Sequence, residues 1–590
     1  MFGLPLDRVL EWGFTLLRER STTSIISSGL LERYISLDHV PYSFLPAVLN
    51  ELSQQSKTMC PQLSRLISLL LALTGFGSTA TFSVNIPAGS AVNLSDQIDP
   101  TFPGFAFEEA SFVRYAQYDD GSPNTFSINL IKAVTSRTGG YPIIRLGGTS
   151  PDYGRYLPGQ EEPALPPAEQ DNYQNVGYTT IGPSYWKLTQ NFPGAKYMVQ
   201  VPLATTNISE TIAWAQSAVA GIGIDNIHSI QPGNEANLYS DTYTGEGGVE
   251  LNPPEYQGTL SNKTYVGNWT KYADAVSGAV DLPEGRFFTA FDVATHFGDA
   301  VQEEAYIFDV ETCFNLGIDN KSIIKEVSHH YYQQNAGTAE DLATGLMDTS
   351  VTHNHLDQFK RRISWLKNNR PEIDFILNEV GNSLFKTNQY EFQARFGSAL
   401  WQVDFYLYSM AIGIARINYQ QIMHAGYDLW LPVASAGYDA QVFSNFYSQP
   451  FVADFIGSSG KTHVAKLDIS GSNPPANVAV YGAYEDNVAK RIAITNLNYW
   501  NKTSSGTDRP SVTLDLSVPA GVESVKVYHL SSPLGAGAAA DNITYAGSQW
   551  TYESLGEEVK NVINDTKNIT VSDGVASVTV QNSEAVLVWL

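Results

Sequence analysis

Two apolar runs of the chain contain the dipeptide Asn-Glu at or near their ends: NIHSIQPGNE at residues 226–235 and DFILNEVG at residues 374–381. Each has the apolar, β-branched character and the short length of a buried strand. A carboxylate at the end of a buried strand is costly unless function requires it there. A lone Asn-Glu pair is weak evidence, but two such pairs in equivalent positions make Glu235 and Glu379 candidate catalytic groups.

Six further runs of this kind flank the two. They are FPGFAF (102–107), YPIIRLGG (141–148), AKYMVQVPLA (195–204), RFFTAFDVA (286–294), IIKEVSHHYY (323–332) and ARINYQQIMH (415–424). Amphipathic stretches, such as residues 356–369 and 392–414, lie between them. Eight strands alternating with helices predict a (β/α)8 TIM barrel over residues 101–450. The two Asn-Glu pairs end the fourth and seventh strands, on the face where such barrels place active sites.

The texture of the sequence changes near residue 451. Short alternating segments occur from there on, separated by turns rich in Gly, Asn, Pro and Ser: NVAVYGAYE (477–485), KRIAITNLNYW (490–500), SVTLDLSVP (511–519), SVKVYHL (524–530) and EAVLVWL (584–590). This pattern predicts a C-terminal antiparallel β-sandwich domain over residues 451–590. The strand-like residues 81–92, in the segment 81–100, are expected to add a strand to it.

Charge and composition narrow the possible functions. The 590 residues include 35 Lys and Arg against 60 Asp and Glu, which gives a net charge of -25. Such a surface repels phosphate backbones and sulfated glycans, so we expect no nucleic-acid partner. Aromatic residues make up 12% of the chain. They suit stacking on sugar rings, but they also fit any β-rich extracellular protein.

A segment that resembles a secretory signal peptide begins at residue 59, although such a signal ordinarily stands at the beginning of a chain. Residues 59–80 combine Arg65, a short apolar run and small residues at Ser78 and Ala80, as in a signal peptide cleaved after Ala80. We therefore expect Met59 to be the true start and residues 1–58 to be a gene-model extension. The alternative is a membrane anchor or a cytosolic helix pair.

Other features also favour a secreted glycoprotein that carries no membrane segment in its mature form. Nine glycosylation sequons lie downstream of the signal, at Asn93, Asn207, Asn262, Asn268, Asn320, Asn501, Asn542, Asn564 and Asn568. Cys313 is the single cysteine after residue 80, and we expect it to be a buried packing residue.

The paired carboxylates point to glycoside hydrolysis. A retaining glycosidase needs two carboxyl groups roughly 5–5.5 Å apart: one donates a proton to the leaving oxygen, and the other attacks the anomeric carbon. Asn234, next to the first glutamate, is a candidate to hold the sugar 2-hydroxyl. No cofactor or metal is expected for this chemistry.

The sequence resembles glycoside hydrolase family 79, which includes heparanase and the β-glucuronidases. The resemblance rests on IIRLGGTSPDY (143–153), SHHYYQQNAGTAEDL (328–342) and the two Asn-Glu segments, and it extends over residues 81–590. It implies a retaining (β/α)8 barrel with Glu235 as acid/base and Glu379 as nucleophile. The chain departs from the family where it has Ala236 in place of a common Pro and Asn378 in place of a common Gly.

The resemblance also implies substrate-binding roles. Asp152 matches an aspartate that binds hydroxyls of the uronic acid, although an Asx turn would also explain it. Tyr331 matches a tyrosine that hydrogen-bonds the nucleophile. Gln421 matches a glutamine of the same subsite, although a buried glutamine also serves to tie down backbone. Asn382 and Ser383, in the loop after the nucleophile, are candidates to bind the uronate carboxylate.

Arg145 and His329 are expected to support the site. Arg145 lies inside the second strand, where an unpaired arginine would be costly, so we expect it to orient and ionise Glu379. A zinc site at His329 and His330 is disfavoured, since adjacent residues of a strand point to opposite faces and no HExxH motif accompanies them.

These observations together predict a secreted, N-glycosylated, retaining exo-β-glucuronidase. Its expected substrate is a glycan, such as an arabinogalactan side chain, that ends in glucuronic acid with or without a 4-O-methyl group. The alternatives are a heparanase-like endo-β-glucuronidase, another retaining β-glycosidase of the same clan, and a non-catalytic sugar-binding protein. The short interval between the first two strands, residues 108–140, and the negative charge favour the exo enzyme.

Overall fold

The eight predicted apolar runs form eight parallel strands that close into a barrel. The computed structural model describes residues 81–166, 179–242, 244, 251, 253–295, 308–334, 337–339, 341–384, 389–423, 427–435, 437–506 and 508–590. Residues 1–58, the predicted signal at 59–80 and His424 lie outside these ranges. Ala80–Leu590 is one compact unit, and it contains both the barrel and the C-terminal strands.

The barrel strands succeed one another around the barrel in chain order. After β1 (Thr81–Asn85) they are β2 (Pro103–Glu108), β3 (Ile143–Gly147), β4 (Lys196–Val201), β5 (Ile227–Pro232), β6 (Phe288–Val293), β7 (Ile324–Gln334), β8 (Asp374–Ser383) and β9 (Ile417–Gln421). The TIM-barrel prediction is confirmed. The strands are buried because helices cover their outer faces and side chains fill the interior.

Helices of varied length connect and cover these strands. They are Glu109–Ala116, Thr125–Thr138, Thr149–Asp152, Pro183–Lys187, Ile208–Ile222, Asn262–Ala279, Val310–Asn315, Thr349–Asp357, Lys360–Asn369, Gln389–Phe392, Phe396–Ile412 and Ser448–Ile456. The described part of the chain has no helix that is both long and apolar enough to cross a membrane. Cys313 is buried in the helix Val310–Asn315 and forms no disulfide.

Ten of the C-terminal strands belong to the two main sheets of this region, and Gln549–Trp550 and Glu558–Val559 form a separate two-stranded sheet. The ten strands of the main sheets follow in chain order. They are β10 (His463–Leu467), β11 (Ile469–Ser470), β12 (Val478–Glu485), β13 (Val488–Asn496), β14 (Ser511–Ser517), β15 (Ser524–Ser531), β16 (Thr544–Tyr545), β17 (Thr566–Thr570), β18 (Val575–Gln581) and β19 (Glu584–Trp589). One sheet has the order β11-β1-β14-β18; the other has the order β10-β12-β13-β19-β15-β16, with β17 paired to β15. Their facing apolar side chains, among them Val84, Ile492, Leu514 and Val578, form a separate core.

Two details concern the ends of this sandwich. β1 pairs in parallel with β14, so the segment before the barrel supplies a sandwich strand. The helix Ser448–Ile456 crosses the predicted domain boundary at residues 450/451 and packs against the helices Thr125–Thr138 and Phe396–Ile412. It therefore belongs with the barrel, and the first sandwich strand that follows the barrel begins at His463. Alternation of short apolar segments could not reveal a nine-residue helix that is buried on nearly every side.

Candidate active site

Glu235 lies in a tight turn just after β5. Gly233 has φ 87°, and a Cβ there would lie 2.8 Å from Leu203, so this turn requires glycine. Glu235 itself has φ 45°, a left-handed conformation that is uncommon for a residue with a side chain. Its backbone N–H donates to the carbonyl oxygen of Asp292 at 2.8 Å, which anchors the turn to β6. The Glu235 side chain is 21% exposed, so it is accessible from solvent.

Glu379 is held inside the mouth of the barrel by two donors. The Tyr332 hydroxyl donates to its Oε1 at 2.6 Å, and Arg145 Nη1 donates to its Oε2 at 2.7 Å. The side chain is 10% exposed. Donors on both oxygens stabilise the charged form of a carboxylate and fix its orientation.

His330 lies between the two glutamates. Its Nδ1 is 2.9 Å from Glu235 Oε1 and 3.8 Å from Glu379 Oε2. One carboxylate oxygen of Glu235 and one of Glu379 lie within 4.8 Å of each other and of this ring nitrogen. The two carboxyl groups predicted from the fourth and seventh strands therefore share one site.

Three buried charged side chains, Arg145, His330 and Asp292, form the floor of this site. Arg145 is completely buried, and in addition to Glu379 it contacts Asp292 Oδ2 at 2.7 Å and Asn234 Oδ1 at 2.6 Å. Gln200 and Gln231 each accept a longer hydrogen bond of 3.3 Å from it. The guanidinium thus links the glutamate on β8 to groups on three other strands or their ends.

Asp292, near the end of β6, is the third carboxylate of the site and the one that belongs to its floor. Its side chain is 1% exposed; Oδ2 lies 2.7 Å from Arg145 and 2.9 Å from His330 Nε2. The ring N–H of His330 does not point straight at Oδ2, so this contact is better described as an ion pair than as a hydrogen bond. Burial raises the pKa of Asp292, but the charges of Arg145 and His330 outweigh burial and hold the pKa below its ordinary value.

His330 is a cation in this setting. Burial lowers its pKa, but the negative charges of Asp292 and Glu379 dominate and raise the pKa to about 10. Two buried cations, Arg145 and His330, therefore face two buried carboxylates, Asp292 and Glu379. Of the three carboxyl groups, Glu235 is the most exposed, at 21% against 10% for Glu379 and 1% for Asp292.

The structure corrects the tyrosine that was expected to bind the nucleophile. Tyr332, not Tyr331, donates to Glu379. Tyr331 points out of the barrel, where its ring stacks on Phe405 and its hydroxyl contacts His355. The reason is the alternation of β7, which directs Ser328, His330 and Tyr332 inward.

His329 also points outward, contrary to its expected supporting role in the site. Its ring packs against Phe359 and Phe375 at centroid distances of 5.7 and 5.1 Å. Burial lowers its pKa well below the ordinary histidine value. It is therefore a neutral core residue, while its neighbour His330 lies in the site.

The carboxylate of Asp152 contacts protein groups around the turn of Glu235. It accepts the backbone N–H groups of Leu203 at 2.9 Å, Ala204 at 3.2 Å and Asn234 at 3.1 Å, and the hydroxyl of Tyr239. Burial raises its pKa to about 6, although these hydrogen bonds oppose the rise. These contacts reach distant segments and are not those of an Asx turn, so Asp152 braces the turn that carries Glu235. Its binding to a sugar stays a prediction.

Three other expected substrate contacts are buried and already bonded. Gln421 donates to the carbonyls of Tyr419 and Gln420 and accepts the N–H of Leu429 at 3.0 Å, which favours its second interpretation, a tie to backbone. Asn382 donates to the carbonyl of Gln393 at 2.8 Å. Ser383 accepts from the side chain of Gln393. None of the three side chains is exposed, so the structure does not place them where a carboxylate could bind.

Sequence reasoning missed Asp292, His330 and Tyr332. Asp292 satisfies the criterion that identified the glutamates, since it is a carboxylate near the end of the apolar run FFTAFDV. In a regular strand, His330 and Tyr332 lie on the same face as Glu326 and Ser328, whereas His329 and Tyr331 lie on the same face as the apolar Val327. Because the outer face of a barrel strand packs on helices, the apolar Val327 could have identified the face whose side chains point outward.

A metal ion fits this group of side chains poorly. Among the described residues, Glu235, His330 and Glu379 offer ligand atoms within 4.8 Å of one another. A metal requires a neutral imidazole, whereas His330 has its pKa raised to about 10. Arg145 already neutralises Glu379 at 2.7 Å. The expectation of a metal-free site stays a prediction.

Comparisons with known proteins identify relatives of this chain. Residues 480–587 match the family model described as glycosyl hydrolase family 79 C-terminal beta domain. A β-glucuronidase of Neurospora crassa is 25% identical over 471 residues, which cover 73% of this chain and 81% of the relative. A β-glucuronidase of Aspergillus niger is 24% identical over 549 residues, which cover 87% of this chain and 94% of the relative.

Solved structures agree on the fold. The crystal structure of a 4-O-α-L-rhamnosyl-β-D-glucuronidase from Fusarium oxysporum 12S has a TM-score of 0.69 at 21% identity, and the match covers 87% of this chain and 100% of that chain. A family 51 arabinofuranosidase from Xanthomonas axonopodis pv. citri has a TM-score of 0.57 at 14% identity and covers 86% of this chain and 99% of that chain.

The barrel has one glutamate just after its fourth strand and another in the carboxyl-terminal half of its seventh strand. Together with these relatives, this arrangement defines the class of the protein: it is a glycoside hydrolase. Within this class, the match of the C-terminal domain and the two fungal relatives support its assignment to glycoside hydrolase family 79, as the sequence resemblance implied.

Proposed function

We propose that this protein is a retaining exo-β-glucuronidase that removes terminal glucuronic acid, with or without a 4-O-methyl group, from glycans. The observation that carries the mechanism is the distance within 4.8 Å between carboxylate oxygens of Glu235 and Glu379. Retaining enzymes hold the two carboxyl groups roughly 5–5.5 Å apart, whereas inverting enzymes need roughly 6.5–9.5 Å to admit a water molecule. The short distance therefore supports direct attack by one carboxylate.

In the first step, Glu379 attacks the anomeric carbon while Glu235 donates its proton to the glycosidic oxygen. The bond between that oxygen and the anomeric carbon breaks, the aglycone leaves as an alcohol, and a glycosyl ester forms on Glu379. In the second step, Glu235 takes a proton from water, whose oxygen displaces Glu379. Two inversions return the β configuration.

Neighbouring groups favour these two roles. Arg145 and Tyr332 each donate a hydrogen bond to one oxygen of Glu379, so the carboxylate is oriented before the sugar arrives. Asn234 lies beside Glu235, and Arg145 holds its Oδ1 at 2.6 Å, which leaves its Nδ2 to meet the sugar 2-hydroxyl. Such a contact strengthens as the transition state develops.

The proposed glucuronide specificity is inferred from the two fungal β-glucuronidases to which the chain is similar, and the proposed exo mode is inferred from features of this chain itself. A net charge of -25 is unfavourable for long sulfated polymers, which an enzyme of the heparanase kind must bind along its cleft. The connection from β2 to β3 consists of the helices Glu109–Ala116 and Thr125–Thr138 and their turns. It is the short interval between the first two barrel strands that favours the exo enzyme.

We further propose that the protein is secreted and N-glycosylated, with the mature chain beginning near Thr81. The asparagines of six sequons are exposed in the structure: Asn93, Asn207, Asn320, Asn542, Asn564 and Asn568. Asn262, Asn268 and Asn501 are half-buried. Terminal sequencing and glycopeptide mapping of secreted protein would test this, and recovery of peptides from residues 6–55 would contradict it.

The substrate proposal is tested with a panel of 4-nitrophenyl β-glycosides: glucuronide, 4-O-methylglucuronide, 4-O-α-L-rhamnosyl-glucuronide, glucoside, galactoside and xyloside. We expect cleavage of a glucuronide with β-glucuronic acid as the first product in proton NMR. Cleavage of neutral glycosides alone, or an α product, would contradict the proposal. Activity on polymers alone would favour the endo enzyme.

The assignment of the two glutamates needs variants that separate their roles. Glu379→Gly should lose activity by about 10⁴-fold or more, and azide should restore it with an α-glycosyl azide as product. Glu235→Ala should keep much of its activity on a dinitrophenyl glucuronide, whose leaving group needs no proton, and lose it on natural glycans. Equal losses on both kinds of substrate would show that the roles are assigned wrongly.

A further inference from the structure

We propose that Asp292 is a positioning residue for this reaction: its carboxylate holds Arg145 and His330, and through them it sets Glu379 and Glu235 at their working distance. The inference rests on the proposed glycosidase function and extends it to a residue that does not touch the substrate.

The first observation is the local backbone of β6. Phe291 has φ 76° and Asp292 has φ 49°, so two consecutive residues with side chains adopt the left-handed conformation within a barrel strand. Such residues persist only where the surroundings hold them, and they concentrate at functional sites. Here the backbone N–H of Phe291 donates to the hydroxyl oxygen of Tyr265 at 2.7 Å, which ties the distorted segment to the helix Asn262–Ala279.

The consequence of this conformation is the direction of two groups on Asp292. The side chain points into the barrel, and the carbonyl oxygen accepts the N–H of Glu235 at 2.8 Å. The regular pairing of β6 with β7 shifts at the same level, between Ser328 and His329. The distortion thus lets one residue contact the acid/base turn with its backbone and the floor of the site with its carboxylate.

The second observation is the set of partners of the carboxylate. Oδ2 lies 2.7 Å from Arg145 and 2.9 Å from His330, the two cations of the floor. Oδ1 accepts from the Ser328 hydroxyl at 2.5 Å and from Asn378 Nδ2 at 3.0 Å. Gln231 Nε2 also donates to Oδ2. Every strand from β5 to β8, and β3 through Arg145, is therefore connected at Asp292.

The arrangement of charge explains why the position needs an anion. Arg145 contacts Glu379 at 2.7 Å, and His330 contacts Glu235 at 2.9 Å. Without Asp292, two cations would share Glu379 as their single buried counter-charge. The carboxylate of Glu379 would then be pulled toward the floor, and His330 would lose the partner that fixes its ring. Asn378 donates to the same carboxylate from β8, at one of the two positions where the sequence departs from the family.

The test compares Asp292→Asn with Glu326→Gln, a matched control. Glu326 is an equally buried carboxylate on β7, and it also pairs with an arginine, Arg416, and a histidine, His228, but it lies at the opposite end of the barrel. With 4-nitrophenyl β-glucuronide, we expect Asp292→Asn to lower kcat by about 100-fold and to leave KM within about threefold, since the substrate does not touch this residue. Glu326→Gln should leave kcat within about threefold.

A second readout needs no substrate. The imidazole of His330 faces Asp292, Glu379, Glu235 and Arg145, and loss of the first removes its strongest anionic partner. In protein labelled with ¹⁵N-histidine and assigned with His330→Gln, His330 should stay protonated to pH 9 in the wild type and in Glu326→Gln. It should lose its proton below that pH in Asp292→Asn.

The outcomes are distinguishable. If Asp292→Asn keeps kcat within threefold, or if His330 titrates alike in all three proteins, the positioning role is wrong. If Asp292→Asn does not fold, Ser328→Ala removes only one donor to Oδ1, and we expect it to lower kcat by about fivefold with KM unchanged; wild-type kcat would overturn the proposal. If the wild type cleaves no glucuronide, the proposed function has failed, while the titration of His330 still tests Asp292.

Discussion

The two ends of the barrel contain the same three kinds of side chain in different charge surroundings. At the carboxyl end of the strands, Asp292 pairs with Arg145 and His330. At the amino end, Glu326 pairs with Arg416, and its Oε1 lies 2.8 Å from His228 Nε2. Both carboxylates are 1% exposed. The chemical composition of a buried cluster therefore does not determine whether it supports catalysis or only closes a barrel.

The difference lies in the remaining charges. Near His330 there are further carboxylates, and they raise its pKa to about 10 against the effect of burial. Near His228 there are further cations: Lys325 Nζ lies 3.3 Å from its Nδ1, and Arg416 shares its carboxylate. Burial lowers the pKa of His228, and these two cations add to the decrease. The charges that act on His330 are thus mainly negative, and those that act on His228 are mainly positive.

The largest expected effect comes from removing the arginine at each end. Arg145→Met should lower kcat/KM by about 10³-fold, because Glu379 loses its charged donor. Arg416→Met should leave kcat within about twofold and should lower the free energy of unfolding by about 3–5 kcal/mol, because Glu326 stays buried without its ion pair. Kinetics on an aryl glucuronide and thermal melting of both variants check this. Similar kinetic losses in both would contradict the contrast between the two ends.

The two histidines should have opposite effects on the pH dependence of stability. The pKa of His330 in the folded state, about 10, lies above the value of about 6.5 for an unfolded chain, so its contribution is complete below pH 6.5 and is lost as the pH rises toward 10. The pKa of His228 is lowered, so its neutral form is favoured by folding, and stability falls as the pH drops below about 6.5.

Two variants separate these slopes. In melting temperatures measured from pH 4 to 10, His330→Gln should flatten the alkaline decline, and His228→Gln should flatten the acidic decline. Each variant is the control for the other, since both remove an imidazole that pairs with a buried carboxylate of the barrel. If both changed the same limb, the charge surroundings described for the two ends would be wrong.

The smallest expected effect compares the two faces of β7, the strand that reaches both ends. Tyr332→Phe should lower kcat by about 10-fold, because a hydrogen bond to a charged acceptor contributes about 1.5–3 kcal/mol. Tyr331→Phe should keep kcat within about twofold, since its hydroxyl contacts His355 outside the barrel. Steady-state kinetics of the two variants decides, and a larger loss for Tyr331→Phe would favour the tyrosine expected from the sequence.

The eight strands and the two glutamates could be predicted because their signals are local. Buried parallel strands require continuous apolar runs, and a carboxylate that ends such a run is conspicuous in the sequence. The same rule applies to Asp292, which ends the run RFFTAFD and is the one carboxylate of the floor that the sequence reasoning missed. The domain boundary at residues 450/451 stays a prediction, and the helix Ser448–Ile456 that spans it could not be foreseen, because it is too short and too apolar to show a helical period.

Contacts between distant segments could not be predicted in this way. The sequence alone determined that Glu235 and Glu379 belong to two strand segments of one barrel, because strand length and apolar composition are properties of each segment. Only the tertiary structure decided that Tyr332 and not Tyr331 meets Glu379, that Asp152 braces the turn of Glu235, and that Gln421, Asn382 and Ser383 bind protein groups. Those outcomes depend on which face of a strand points into the barrel and on which hydrogen-bonding groups lie opposite each side chain. Both are set only when the strands close around a common interior.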